Sequence, residues 1–286
     1  MEQFADKVAV ITGAASGFGR AFAEKGAALG MKLVLADVDA AALNDVVGAL
    51  AASGAEVVGV PTDVSDADAV EALSQRTLDA FGKVHLLFNN AGVGASGFVW
   101  EMSANDWSWV FGVNVMGVAH GVRVFAPIML AQKEPAHIVN TASVAGLISP
   151  PAMGIYNASK HAVVALTETL YHDLRRIDAP VGCSLLCPAF VPTGIAESER
   201  ARPQRWRNEA PPSASQLLAG REIRKAVRSG RLSAADIADA AFEAVRTDRF
   251  YVVTHPAIMP SVRARHEDIE QGRAPTDPSP PAQGHV

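Results

Sequence analysis

Tyr156 and Lys160 stand four residues apart in the run Tyr-Asn-Ala-Ser-Lys, a spacing that puts both side chains on one face of a helix. A phenol titrates near 10, so only about one molecule in a thousand would be phenolate at neutral pH. A neighbouring ammonium favours the anion and makes the tyrosine a usable base for an alcohol proton. A second run, Thr12-Gly-Ala-Ala-Ser-Gly-Phe-Gly19, precedes the helix-like Arg20-Ala-Phe-Ala-Glu-Lys25. Its glycines, Gly13, Gly17 and Gly19, let the backbone turn tightly and approach a ligand. The free N–H groups and positive dipole end of the following helix favour an anion, so the turn reads as a cradle for a dinucleotide pyrophosphate. Asp37 follows in Leu35-Ala-Asp-Val-Asp39, where a carboxylate can accept hydrogen bonds from an adenosine ribose and would repel a 2′-phosphate. No Arg or Lys lies between Val38 and Val47, so the charge logic favours NAD over NADP. The competing reading makes Asp37 or Asp39 the cap of the next helix. Asp63, after the third strand-like run, is placed to reach the adenine edge.

The elements that must carry these residues alternate. Short β-branched runs at 8–12, 32–36, 56–60, 84–88, 137–141, 181–186 and 250–253 are separated by Ala-rich segments of helical character at about 17–29, 39–53, 66–81, 104–131, 155–177 and 234–247. That is the pattern of βαβ units. The strand runs are almost continuously apolar, as strands covered by helices on both faces should be. The expected fold is α/β: a doubly wound, Rossmann-type parallel sheet of about seven strands, with ligands at the carboxyl edge. One domain is expected over residues 1–274, followed by a Pro-rich, disordered tail at 275–286. Within the domain, residues 194–232 form a polar insertion with nine basic residues (Arg200, Arg202, Arg205, Arg207, Arg221, Arg224, Lys225, Arg228, Arg231) against four acidic ones. A solvated lid is the first reading of it, and a face for an acidic substrate the second.

Composition narrows the remaining classes. The chain has 286 residues, 49% of them hydrophobic, and a formal charge of -5. It lacks the positive field that nucleic acid or an anionic membrane would require, so neither is an expected partner. No basic, apolar leader opens the sequence, and Cys183 and Cys187 lie too far apart along one strand to pair. Both read as core thiols, and a cytoplasmic setting follows. The eight histidines form no ligand-like cluster, so no catalytic metal is expected.

Taken in order, Thr12-Gly-x3-Gly-x-Gly19, Asp63, Asn89-Asn-Ala-Gly92, Asn114, Ser143, Tyr156-x3-Lys160 and Pro188 with Thr193 resemble the short-chain dehydrogenase/reductase family in its compact single-domain branch. The resemblance is close over residues 7–195 and looser beyond. It implies a catalytic set of Asn114, Ser143, Tyr156 and Lys160. Tyr156 would exchange the proton as hydride passes between substrate and nicotinamide, Lys160 would hold the nicotinamide ribose and lower the tyrosine pKa, and Ser143 would donate to the substrate oxygen. Asn114 would anchor a water continuing the proton relay. It further implies cofactor contacts from Gly13, Ser16, Gly17, Phe18 and Gly19, from Asp37, Asp63 and Val64, from Asn90, Ala91 and Gly92, and from Tyr156, Lys160, Pro188, Val191 and Thr193. Ala189 stands where the family carries Gly, which would strain the backbone if that position needed positive φ.

The same resemblance places Val93, Phe98, Val144, Leu147, Met153 and Phe190 around the substrate, beside Ser143 and Tyr156. This apolar lining favours a hydrophobic secondary alcohol or its ketone, compact or bulky. A homo-oligomer, commonly a tetramer through the segments at 104–131 and 155–177, is the family's usual assembly. A different class of reading is a catalytically silent dinucleotide-binding regulator or scaffold; the intact Asn-Ser-Tyr-Lys set argues against it. The Tyr-x3-Lys spacing likewise disfavours an enoyl reductase.

Overall fold

A computed structural model describes Met1 and residues 3–279 of the chain. Seven strands form one sheet: β1 Val8–Thr12, β2 Lys32–Asp37, β3 Val57–Pro61, β4 Leu86–Asn89, β5 Ala136–Thr141, β6 Val181–Cys187 and β7 Tyr251–Val253. Their order is β3-β2-β1-β4-β5-β6-β7, and every pair is parallel. The order reverses between β1 and β4, so the crevice at their carboxyl ends is the switch point where such sheets bind ligands. The expected doubly wound sheet is therefore present. The central strands β1, β4 and β5 are buried at every position, as double coverage requires.

The helices described are α1 Gly17–Ala28, α2 Ala40–Ala52, α3 Ala67–Phe81, α4 Ala104–Phe111, α5 Gly117–Gln132, α6 Gly154–Arg176, α7 Ala214–Arg228, α8 Ala234–Thr247 and α9 Met259–Glu270. One core cluster packs Phe22, Phe88 and Phe242 beneath α1 and α8, with Phe22 stacked on Phe88 at 4.4 Å. A second packs Phe125, Met129 and Leu174 beneath α5 and α6 on the other face. Cys183 and Cys187 are both free and buried in β6.

Three features depart from the sequence expectation. The helix expected over 104–131 is broken by a π-helical turn at Gly112–Met116, between α4 and α5. Small residues permit the close approach there: a methyl group on Gly117 would lie 2.7 Å from the Val64 side chain, and one on Gly112 2.9 Å from Trp206. The insertion expected as a solvated lid is structured, with 3-10 turns at Gly194–Ala201 and Gln204–Trp206 followed by the fifteen-residue α7. Its buried fastening is electrostatic. Arg202, 3% exposed, meets Asp106, 5% exposed, at 2.7 Å and lies 4.8 Å from the Trp109 ring. Burial raises the Asp106 pKa, but hydrogen bonds from Ser103, Arg202 and Asn208 outweigh it and hold the carboxyl below its ordinary value. The third departure is α9, whose Asp268 accepts from the Thr276 N–H at 2.8 Å. That contact orders the start of the segment expected as a disordered tail; the rest of that expectation, 280–286, lies outside the described residues.

Candidate active site

The anion cradle forms as the glycine spacing predicts. Gly13 and Gly17 adopt φ of +66° and +53°, a region that side chains disfavour. At Gly19 a methyl group would lie 2.0 Å from the Gly13 carbonyl oxygen, so the turn closes only with glycine there. Ser16 sits at the N-cap of α1 with no side-chain capping bond, which leaves its hydroxyl and the first-turn N–H groups available to an anion. Thr193 faces Gly17 across this turn, 3.4 Å from where a Gly17 methyl would sit. Phe18 packs on Phe22, and Val191 is buried in the core behind it. Thr12, whose type carries no chemistry of its own in the motif, ties the cradle to the end of β4. Its hydroxyl accepts from the Asn90 and Ala91 N–H groups at 2.9 and 3.1 Å, and the Asn90 amide donates to the Thr12 carbonyl at 3.0 Å.

Asp37 ends β2 beside this cradle. Its carboxylate accepts from the Ala15 N–H at 2.9 Å and the Asp39 N–H at 3.0 Å. Asp39, not Asp37, caps α2, accepting from Ala42 N–H at 3.1 Å, which separates the two readings. Asp63, expected to reach the adenine edge, is held by protein partners just after β3. It accepts from both the Ser65 N–H and hydroxyl, and from Arg205 of the insertion at 2.7 Å. Burial opposes its ionisation, but these bonds outweigh it and lower its pKa. Arg205 also stacks over Trp206 at 4.2 Å. Val64 packs beneath Gly117, and its carbonyl accepts a hydrogen bond from His120 Nδ1 at 3.0 Å.

The four chemistry-bearing side chains converge across this crevice. α6 presents Tyr156 and Lys160 on one face, with the Lys160 Nζ 5.7 Å from the Tyr156 ring centroid. Nζ donates to the Thr141 carbonyl at 2.9 Å, and Gly92 leaves room beside it: a methyl there would lie 3.6 Å from Nζ and 3.5 Å from Asn114 Oδ1. Ser143 follows β5; its hydroxyl accepts from the Ala145 N–H and donates to the Pro188 carbonyl at 3.3 Å. Asn114 occupies the middle of the π turn and is fully buried. Its amide oxygen accepts from Val93 N–H at 2.8 Å, and its NH2 donates to the Val93 carbonyl and to Ser159 Oγ. Ser159, the residue before Lys160, donates in turn to the Tyr156 carbonyl. The Asn114 side chain thus clamps the end of β4 to α6, and its polar atoms are engaged by protein.

The ionisations differ from the simple expectation that the ammonium lowers the phenol. Burial pushes the Tyr156 phenol up to about 12, with a hydrogen bond to Ser143 pulling the other way. Burial likewise pulls Lys160 down to about 8. Desolvation disfavours both charged forms and dominates both shifts here.

The apolar residues divide. Phe98 and Phe190 are exposed at the mouth, Phe98 stacked on Trp100. Met153 lies beside Gly97, its bridge partner, and Val144 is half-buried next to Ser143. Val93 joins a core cluster with Trp109, Val110 and Ile155 instead, and Leu147 packs against Val163 and Leu185. Ala189 has no positive φ, so the feared strain is absent; its N–H donates to His255 Nδ1 at 3.2 Å. That contact, across 66 residues, has no local sequence signal.

Comparison with known proteins agrees with this architecture. The family model for short chain dehydrogenases matches residues 7–204, and the chain belongs to the short-chain dehydrogenase/reductase family. Over 277 residues it is 37% identical to a CLA biosynthesis dehydrogenase/reductase of Lactiplantibacillus plantarum, covering 96% of this chain and 97% of that one. It is 33% identical to the 1-deoxy-11-beta-hydroxypentalenate dehydrogenase of Streptomyces exfoliatus, covering 96% and 92%. A crystal structure of a short-chain dehydrogenase/reductase from Burkholderia phymatum in complex with NAD is 72% identical, with a TM-score of 0.97 over 98% of this chain and 100% of that one.

Proposed function

We propose that the chain is an NAD-dependent oxidoreductase that interconverts a hydrophobic secondary alcohol and its ketone. The observation that carries this is the meeting of Tyr156, Lys160 and Ser143 beside a glycine turn shaped for a pyrophosphate. The residues fit a nicotinamide dinucleotide: the α1 N-terminus and Thr193 would hold the pyrophosphate, Asp37 the adenosine ribose, and Lys160 the nicotinamide ribose. Bound NAD supplies the acceptor, or as NADH the donor, of the hydride. Asp37 supports NAD over NADP because its half-buried carboxylate would repel a 2′-phosphate. The NAD complex of the Burkholderia phymatum protein supports the same choice.

The protein's own part is proton management and charge placement. Ser143 Oγ orients the substrate oxygen by donating to it, a preplaced dipole for charge that develops during transfer. Tyr156 takes the hydroxyl proton in oxidation and returns it in reduction. Lys160, still mostly protonated at neutral pH with its pKa near 8, stabilises the phenolate. Asn114 holds the loop after β4 against α6, keeping Gly92 and Lys160 in register. Phe98, Met153, Val144 and Phe190 would receive the apolar body of the substrate. Assembly through α4, α5 and α6, and a reducing cytoplasmic setting for the free thiols, belong to the same proposal.

Nicotinamide absorbance at steady state, with NAD and NADP in separate arms and a panel of aliphatic, aryl and polycyclic secondary alcohols, tests it. NAD-dependent turnover of apolar members is the expected result. Preference for NADP would overturn the role given to Asp37, and tight NAD binding with no turnover of any alcohol or ketone would favour the regulator.

A further inference from the structure

Arg221, Arg224, Lys225 and Arg228 recur on α7 at i, i+3, i+4 and i+7, so they form one stripe. With Ser229 they line an open depression of about 430 Å3. Neighbours in this stripe are like-charged at three- and four-residue spacings, an arrangement that opposes the helix. Lys225 and Arg228, in the last turn, are compensated by the helix dipole. Arg221 and Arg224 are not. Among the described residues Arg221, Arg224 and Lys225 meet no carboxylate within 4.0 Å, and Arg228 reaches only Glu197, at 3.8 Å. Elsewhere in the insertion Arg202 pairs with Asp106 and Arg205 with Asp63, while Arg200, Arg207 and Arg231 meet no carboxylate within 4.0 Å among the described residues. A fixed strap therefore holds a row of four cations, of which Arg221 and Arg224 have neither a carboxylate nor the helix dipole to compensate them.

The packed side of α7 ties this row to the active-site mouth. A methyl group on Gly97 would lie 2.5 Å from the Gln216 side chain, one on Gly220 3.7 Å from Ser96 Oγ, and one on Gly230, just beyond the helix, 2.4 Å from the Phe190 carbonyl oxygen. α7 thus bridges the loop leading to Phe98 and the turn bearing Phe190. Its first half exposes Leu217 and Leu218, each at 52%, and its second half the cations. The rise of a helix puts the cations roughly 5 to 16 Å along the axis from those leucines.

We infer that α7 binds the anionic group, a carboxylate or phosphate, of an amphiphilic alcohol or ketone whose apolar body enters between Phe98 and Phe190. This rests on the dehydrogenase reading only for where the apolar end goes; the anion site itself stands on α7. The row of four cations attracts one end of the substrate while the mouth buries the other, so an extended amphiphile satisfies both at once. A short neutral alcohol satisfies neither.

Titration calorimetry of the full chain with dodecanoate, dodecyl phosphate and dodecanol, each below its aggregation limit, tests the inference. The expected result is at least about tenfold tighter binding of an anionic ligand than of dodecanol, diminished at high salt. Whichever of dodecanoate and dodecyl phosphate gains more identifies the anion. In the combined variant Arg221→Gln, Arg224→Gln, Lys225→Gln, Arg228→Gln the advantage should fall to within about twofold. The Arg221→Gln, Arg224→Gln pair should give an intermediate loss, and it decides the matter if the fourfold variant does not fold. Equal affinity for dodecanol and both anions, or an advantage that persists in the variants, would overturn the inference. So would wild-type binding to phosphatidylglycerol vesicles without binding of the monomeric anions, which would make α7 a lipid-docking face. Intact anion preference with no alcohol or ketone turnover would leave the anion site standing and remove the dehydrogenase reading.

Discussion

Tyr156 and Lys160 sit in a site dry enough to disfavour both of their charged forms, with the phenol near 12 and the ammonium near 8. At neutral pH the phenol therefore keeps its proton and the lysine its charge, which is the state needed to protonate a ketone oxygen. As pH rises through about 8, Lys160 loses its charge and with it the help it gives Tyr156. Ketone reduction is expected to fall across that range, whereas alcohol oxidation, which needs the phenolate, should reach its maximum at more alkaline pH. Steady-state profiles in the two directions check this; coincident profiles would mean that another pair controls the proton. At this scale the sequence was informative because the chemistry is local. Tyr156 and Lys160 share a helix face by spacing alone, and Gly13, Gly17 and Gly19 announce a tight turn. The dominance of burial was not legible, since neither residue type nor spacing reports how dry the site is.

Helices and strands were legible to the extent that their signals are periodic. The nearly continuous apolar runs of β1 and β4 pointed to the parallel sheet, and the long α6 appeared over nearly its full extent. The π turn at Gly112–Met116 was hidden because the apolar pattern runs through it unbroken although Gly, Val and Asn are poor helix formers; its contacts are to Val64, Val93 and Trp206 of distant segments. The same holds for α7 and the strap before it. Arg202 and Asp106 are 96 residues apart, so a run that reads as a polar loop is fixed by an ion pair no local pattern reveals. Arg202→Met leaves Asp106 buried without its cation and should cost about 3–5 kcal/mol, read as a lowered denaturation midpoint. Adding Asp106→Leu should recover much of that loss, because replacing both charges removes the uncompensated one. Failure of the second substitution to recover stability would show that the pair is not what fastens the strap.

The whole molecule joins a dinucleotide crevice at the switch of the sheet to an apolar mouth roofed by a basic segment. Nine of its 25 Lys and Arg residues fall within 194–232, against four acidic residues, while the chain as a whole carries -5. Such asymmetry concentrates positive potential at one end of the site. On the proposed function this assembly performs hydride transfer through Tyr156 and does not merely bind a dinucleotide. The most direct measurement compares Tyr156→Phe with the wild type for NAD affinity and for turnover of an accepted alcohol. Proton transfer by Tyr156 predicts nearly unchanged affinity with turnover lowered by at least about three orders of magnitude, since the ring remains and the transferable proton does not. Retained turnover in Tyr156→Phe would contradict it.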